Sequence, residues 1–114
     1  MITIYGIKSC DSVRKARKLL NSLDIDYIFQ DFREESVNES DIRDWLNLGL
    51  SIDELFNKRS TTYRTLKLKD LELTDDDKIK WLYKENTLIK RPVIININKI
   101  IVGYNENKIK NLIK

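Results

Sequence analysis

Residues 2–20 read ITIYGIKSCDSVRKARKLL, and this stretch decides the fold that we predict. A short apolar strand over residues 2–5 leads into a turn over residues 6–9 and then to Cys10. Beyond the cysteine, apolar residues recur at the three- and four-residue spacing of one helix face: Val13, Ala16, Leu19, Leu20 and Leu23. Asp11 or Ser12 is the expected cap of this helix. The stretch therefore predicts a strand, a turn and a helix, with the cysteine at the start of the helix.

Cys10 is the only cysteine of the chain, and its surroundings favour reactivity. The start of a helix offers unpaired backbone N–H groups, and four cations follow closely in this helix: Arg14, Lys15, Arg17 and Lys18. Both features favour a thiolate over a thiol. We therefore predict that Cys10 is a nucleophile. The alternative is that it is a small buried apolar residue without a chemical role.

The composition predicts a single globular domain. The chain has 114 residues, of which 41% are hydrophobic and 34% are charged. This length suits one compact domain, and the apolar content is sufficient for a core. The net charge is +3, from 21 basic and 18 acidic side chains. This excess is too small to predict direct binding to nucleic acid.

The chain has no histidine, one cysteine and no long apolar segment, and these features limit the possible function classes. No apolar run approaches the roughly 20 residues that cross a bilayer, and no signal peptide precedes the first strand. We expect a soluble, cytoplasmic protein. A lone cysteine forms no internal disulfide, and the absence of histidine argues against zinc, so no metal site is predicted. Three successive carboxylates, Asp75, Asp76 and Asp77, are typical of the first turn of a helix, where they interact favourably with its positive end. A metal site formed by the three carboxylates is the alternative.

The rest of the chain alternates between strand and helix patterns. Residues 25–30 read as a second strand, parallel to the first, which completes a βαβ unit. A helical insertion follows at about residues 36–88, with helix starts predicted at Asn38 or Ser40 and at Ser51, Ser60 and Thr74. Residues 93–97 and 100–102 predict a β-hairpin around Asn98 and Lys99. Asn105 is the expected cap of a closing helix over residues 106–112.

This order resembles the thioredoxin fold and, more narrowly, the arsenate reductase-like family that includes ArsC, Spx and the YffB group. Four segments carry the resemblance: residues 4–17 (IYGIKSCDSVRKAR), 58–63 (KRSTTY), 89–94 (IKRPVI) and 102–106 (VGYNE). The resemblance implies an α/β, thioredoxin-like mixed sheet of βαβ, helical insertion and ββα. It also implies a cis peptide bond before Pro92, with Pro92 facing Cys10. Arg91 would then lie close to the sulfur and pair with the thiolate or with an anionic substrate.

Departures from the family patterns bear on the activity. In the arsenate reductases that the chain resembles, three arginines serve the catalytic cysteine. Only Arg91 matches here, because Asn57 and Gly103 occupy the other two places, although Arg59 lies near the first of them. Spx-type regulators carry a Cys-x-x-Cys switch and bind the C-terminal domain of the RNA polymerase α subunit. Val13 replaces the second cysteine of that switch here.

The function that we predict is that of a thiol oxidoreductase with a single cysteine. Cys10 attacks, Arg91 stabilises negative charge, and Lys8, Arg59 and Pro92 contribute to the substrate or anion site. No bound cofactor is expected. An external thiol such as glutathione, or a glutaredoxin- or thioredoxin-like partner, releases the intermediate, because the chain has no second cysteine. The alternative is an Spx-like regulator that binds the RNA polymerase α subunit.

Overall fold

The computed structural model describes residues 1–114 and divides them into two compact units. One unit combines Met1–Glu35 with Arg91–Lys114, and the other is Ser36–Lys90. Six α-helices are present: α1 (Asp11–Ser22), α2 (Glu39–Asn47), α3 (Ile52–Leu55), α4 (Thr61–Thr65), α5 (Asp75–Lys84) and α6 (Glu106–Ile113). Short 3-10 helices cover Leu68–Asp70 and Asn86–Leu88. That the whole chain is one domain with a helical insertion at about residues 36–88 stays a prediction.

A four-stranded sheet lies in the first unit. Its strands are β1 (Ile2–Gly6), β2 (Tyr27–Asp31), β3 (Val93–Asn96) and β4 (Lys99–Val102), in the order β2-β1-β3-β4. β1 is parallel to β2 and antiparallel to β3, and β3 is antiparallel to β4. The predicted βαβ and ββα elements are therefore confirmed, and with them the α/β, thioredoxin-like mixed sheet.

The core of this unit is built from apolar residues that recur at strand spacing in β1 and at helix spacing in α1 and α6. Ile2 and Ile4 alternate along β1 and are buried with Ile94 of β3. Ala16 and Leu20 of α1 and Ile109 and Leu112 of α6 belong to the same cluster. Side chains two apart on a strand and three or four apart on a helix share a face, which explains this selection. Leu23 was expected on the buried stripe, but it follows the end of α1 and is 40% exposed.

The second unit is helical, as predicted. The side chains of Asn38, Ser51 and Thr74 each accept a hydrogen bond from the backbone three residues on, in complete capping boxes. The Ser60 side chain accepts from the N–H of Tyr63 at the start of α4. The buried apolar residues of this unit include Ile42, Trp45, Leu55, Phe56, Leu68, Ile79, Leu82, Leu88 and Ile89. These confirmed caps depend only on local sequence.

The hairpin turn differs from the prediction by one residue. Asn96 is paired with Lys99, so the two turn residues are Ile97 and Asn98 rather than Asn98 and Lys99. Ile97 has a φ of 59° and is 82% exposed. Asn105 caps α6 as predicted, because its side chain accepts from the N–H of Lys108. None of the helices combines the length and the apolar character that crossing a bilayer requires.

Candidate functional site

The strand directions bring four segments to one end of the sheet. β1 and β2 are parallel and both end there, whereas the antiparallel β3 begins there. β4 also ends there, because Val102 is paired with Val93. The turn before Cys10, the end of β2, the Arg91-Pro92 step and Gly103 therefore share this end of the first unit. Residues that are distant in sequence can form a common site at such a sheet end.

Cys10 itself occupies the N-cap position of α1, where Asp11 or Ser12 was expected. Its N–H donates to the carbonyl of Ile7 at 3.0 Å, and its carbonyl accepts from the N–H of Arg14 at 3.0 Å. The backbone is therefore held on both sides of the residue. The side chain is half-buried and makes no capping hydrogen bond. A sulfur at this position lies where a cap side chain accepts from the first N–H groups of a helix, which favours an anion.

Two of the cations expected to act on Cys10 have other contacts. Arg14 forms an exposed ion pair with Asp11. The guanidinium of Arg17 lies 4.2 Å from the ring centre of Phe29, and its Nε donates to the Tyr27 hydroxyl at 3.2 Å. Arg17 of α1 thus contacts two side chains of β2. These contacts give both side chains partners other than Cys10.

Asp31, the last residue of β2, is a buried carboxylate that the sequence analysis missed. It is 6% exposed. Its Oδ2 accepts from the backbone N–H of Lys8 at 3.0 Å, and its Oδ1 accepts from the N–H of Arg33 at 2.8 Å. Burial alone would raise the pKa of Asp31, but the two N–H donors and the nearby cationic side chains of Lys8 and Arg33 lower it below the usual value. The ionised carboxylate therefore braces the turn that leads to Cys10.

A signal for Asp31 was present in the sequence. An acidic residue directly follows the predicted second strand, and the carboxyl ends of parallel strands meet at one edge. That edge also carries the turn before Cys10. The parallel pairing alone would therefore have placed Asp31 beside this turn.

Lys8 was predicted to contact an anion, and its ammonium group already has an acidic partner. Its Nζ lies 2.6 Å from Oε1 of Glu34 in an exposed ion pair. The hydrogen bond and the charge of Glu34 raise the pKa of Lys8. The backbone of Lys8 is bound to Asp31 and its side chain to Glu34, so this residue ties the turn to the segment after β2.

Arg91 and Pro92 stand at the start of β3. The peptide bond between them is cis, as the resemblance implied. Pro92 is buried, and its carbonyl accepts from the N–H of Gly103 at 2.8 Å. Arg91 is half-buried. The strand pairing thus places Arg91 and Pro92 at the same sheet end as Cys10 and Lys8.

Arg59 belongs to the other unit. It is exposed and directly precedes Ser60, the cap of α4. Its backbone N–H donates to Oδ1 of Asn57 at 3.1 Å. The first unit therefore places Cys10, Lys8, Arg91 and Pro92 at the same end of its sheet. Their roles in a site stay predictions, as does a contribution from Arg59.

Known proteins that are similar to this chain carry several different names. The model of the ArsC family matches residues 5–112. The global transcriptional regulator Spx of Listeria innocua is 32% identical over 99% of this chain and 87% of its own. The crystal structure of a possible arsenate reductase from Streptococcus mutans is 36% identical, with a TM-score of 0.79 over 92% of each chain. The solved structure of a YFFB protein is 25% identical, with a TM-score of 0.91 over the whole of both chains.

Proposed function

This chain belongs to the ArsC family, and we propose that it is a thiol oxidoreductase in which Cys10 is the only nucleophile. Similar proteins are named as a possible arsenate reductase and as the regulators Spx and MgsR, so family membership alone does not determine the activity of this chain. The observation that carries the proposal is the position of Cys10. Its half-buried side chain stands at the N-cap of α1 and makes no capping hydrogen bond.

The reaction that suits a single cysteine is reduction of a mixed disulfide with glutathione. The Cys10 thiolate attacks the glutathionyl sulfur of the substrate, a new S–S bond forms, and the substrate leaves as a thiolate that takes up a proton. A glutathione thiolate then attacks the glutathionyl sulfur bound to Cys10. Cys10 returns as a thiolate, and glutathione disulfide is released. The substrate is reduced and glutathione is oxidised, so no second cysteine and no bound cofactor are needed.

Arg91 is the proposed anion-binding residue. A planar guanidinium holds a carboxylate or an oxyanion through two parallel hydrogen bonds. The carboxylates of glutathione are one such ligand and arsenate is another. Lys8 would assist only after loosening its pair with Glu34, so we assign it a secondary role, and Arg59 is the further candidate from the other unit.

The test is turnover of a small glutathione mixed disulfide, with arsenate assayed in parallel. We expect activity that depends on glutathione and is lost in Cys10→Ser. Arg91→Ala should raise KM for the anionic substrate, whereas Lys90→Ala, which changes an exposed neighbour by the same charge, should not. Equal rates for the native chain and Cys10→Ser would refute the proposal.

A regulator that binds a partner is the second candidate, and the 32% identity to Spx over nearly the whole chain favours it. Val13 stands where the resemblance puts the second cysteine of a redox switch, and it is fully buried. Binding would therefore be independent of any disulfide within the chain, and Cys10 would be idle. The test is capture of the C-terminal domain of the RNA polymerase α subunit. If the native chain and Cys10→Ser both capture this domain and neither shows turnover, the regulator replaces the oxidoreductase as the proposed function. Both candidate functions belong in the cytoplasm.

A further inference from the structure

A strongly basic segment lies within the Ser36–Lys90 unit, and apart from Arg59 neither candidate function uses it. Residues 58–69 contain five cations and no acidic side chain: Lys58, Arg59, Arg64, Lys67 and Lys69. The chain as a whole has an excess of only three positive charges. The positive charge is therefore concentrated in this segment.

Part of this segment surrounds a cavity of about 250 Å³. Three lysines line it, namely Lys58, Lys69 and Lys78, together with an apolar wall that includes Leu68, Leu71 and Tyr63. No acidic side chain is among the lining residues. A smaller cavity of about 150 Å³ shares Tyr63 and Lys69 and adds two cations, Arg64 and Lys67, and one acid, Asp70. We call the two cavities and their lining cations the basic surface; these cations are Lys58, Arg64, Lys67, Lys69 and Lys78.

The apolar wall of the larger cavity includes buried residues and a contact between two aromatic rings. Leu68 and Phe56 are buried, and the ring of Tyr63 packs edge-on against Phe56 with 5.9 Å between the ring centres. Lys78 is 18% exposed, and its Nζ lies 2.9 Å from Oδ1 of Asp53. Lys58, Lys69 and Leu71 are exposed. The cavity thus has a firm apolar base and two exposed ammonium groups at its rim.

Size and chemistry together indicate the ligand. Pockets for small organic molecules usually have volumes of about 300–1,000 Å³, so this cavity suits one anchoring side chain better than a whole ligand. An apolar anchor flanked by carboxylates would place its apolar part against Leu68 and Leu71 and its charges at the rim. Nucleic acid strands are bound by exposed aromatic faces along a basic groove, whereas leucines form much of this wall.

We propose that the basic surface binds an acidic segment of a partner protein, with one apolar side chain of that segment in the larger cavity. Carboxylates on either side of the anchor contact Lys58 and Lys69. This interaction does not rest on the chemistry of Cys10. A failure of either proposal therefore leaves the other standing.

The test is an NMR titration of the full ¹⁵N-labelled chain with an acetylated, amidated peptide of sequence Glu-Glu-Asp-Phe-Glu-Asp-Glu. We expect shifts centred on Tyr63, Leu68 and Leu71, and weaker binding as salt is added. Lys69→Glu should weaken binding about fivefold, the effect of roughly 1 kcal/mol. Lys114→Glu makes the same change of charge at the exposed C-terminus and should leave the affinity unchanged.

Three outcomes would overturn the proposal. The first is equal loss of affinity in Lys69→Glu and Lys114→Glu, which would show attraction by net charge alone. The second is equal binding of a peptide in which serine replaces phenylalanine, which would show that the cavity holds no anchor. The third is tighter binding of a DNA hairpin at the same residues. Should Lys69→Glu fail to fold, Lys58→Gln provides the same comparison against Lys114→Gln.

Discussion

The backbone N–H of Lys8 donates a hydrogen bond to Oδ2 of Asp31 at 3.0 Å, so the end of β2 holds the turn that carries Cys10. The other oxygen of Asp31 accepts from the N–H of Arg33 at 2.8 Å. Because the carboxylate is buried, water does not readily replace it as the acceptor. The position of the sulfur thus depends on a residue 21 positions later in the sequence.

Replacing Asp31 with Asn should lower both the stability of the fold and the reactivity of Cys10. An amide has one acceptor oxygen, so one of the two N–H donors loses its partner. We expect Asp31→Asn to lower the free energy of unfolding by about 2 kcal/mol, as urea unfolding would measure. Alkylation of Cys10 by iodoacetamide under native conditions should also become slower, because the turn is less well held.

Glu34→Gln is the matched control for Asp31→Asn. It makes the same chemical change in an exposed residue of the same segment, whose surface ion pair with Lys8 contributes little to stability. An equal loss of stability in both variants, or unchanged alkylation in Asp31→Asn, would contradict the role assigned to Asp31.

The stability should depend on pH through Asp31. Its pKa is lower in the folded chain than the unfolded value of about 3.9, so the unfolded chain takes up the proton first as pH falls. The contribution of Asp31 is therefore present above about pH 4 and is lost as pH falls through the lower folded pKa. Urea unfolding should show a gap in the free energy of unfolding between the native chain and Asp31→Asn near neutral pH. This gap should narrow below about pH 4. A gap that stays constant with pH would argue against an ionised Asp31.

The helix caps show what sequence could predict. Asn38, Ser51, Thr74 and Asn105 act within three residues of their own position, so a local pattern sufficed for them. The hairpin turn was misplaced by one residue because its register is set by pairing of β3 with β4. The β-branched Ile97 gave no sign of a turn position with a positive φ.

Gly6 and Val13 provide a test of packing between β1 and α1. A Cβ at Gly6 would lie 2.5 Å from Cγ2 of Val13, which is fully buried. Gly6→Ala should therefore lower the free energy of unfolding by about 1–3 kcal/mol, measured by urea unfolding. Val13→Ala removes the methyl group in conflict but also leaves a space in the core, so the double variant should lose less stability than the sum of the two single losses. Strictly additive effects of the two substitutions would show that this contact is not the cause.

Ile97 should be replaceable with a gain in stability. Its positive φ costs a residue with a Cβ about 1 kcal/mol, and its exposed side chain contributes little packing. Ile97→Gly should raise the free energy of unfolding by up to about 1 kcal/mol, as thermal or urea unfolding would show. Ile97→Ala is the control, because it removes the same side chain but keeps the Cβ and should give a smaller gain. A larger gain from Ala than from Gly would contradict this explanation.

The candidate site was only partly predictable, because some of its contacts form between elements that are distant in sequence. Cys10 was identified because its strand, turn and helix are contiguous in sequence. Asp31 was missed because its role appears only when β2 is placed beside β1. Arg17 looked like a cation that acts on the cysteine, whereas its contact with Phe29 depends on tertiary packing.

The central claim is that the Cys10 sulfur is reactive in the folded protein, and intact-mass analysis after exposure to glutathione disulfide tests it most directly. We predict one glutathionyl group per chain at neutral pH, removed by added thiol and absent from Cys10→Ser. The native chain should react faster than the same chain unfolded in urea, because only the folded chain places the sulfur at the start of α1. A native chain that stays unmodified, or that reacts more slowly than the unfolded one, would contradict the claim.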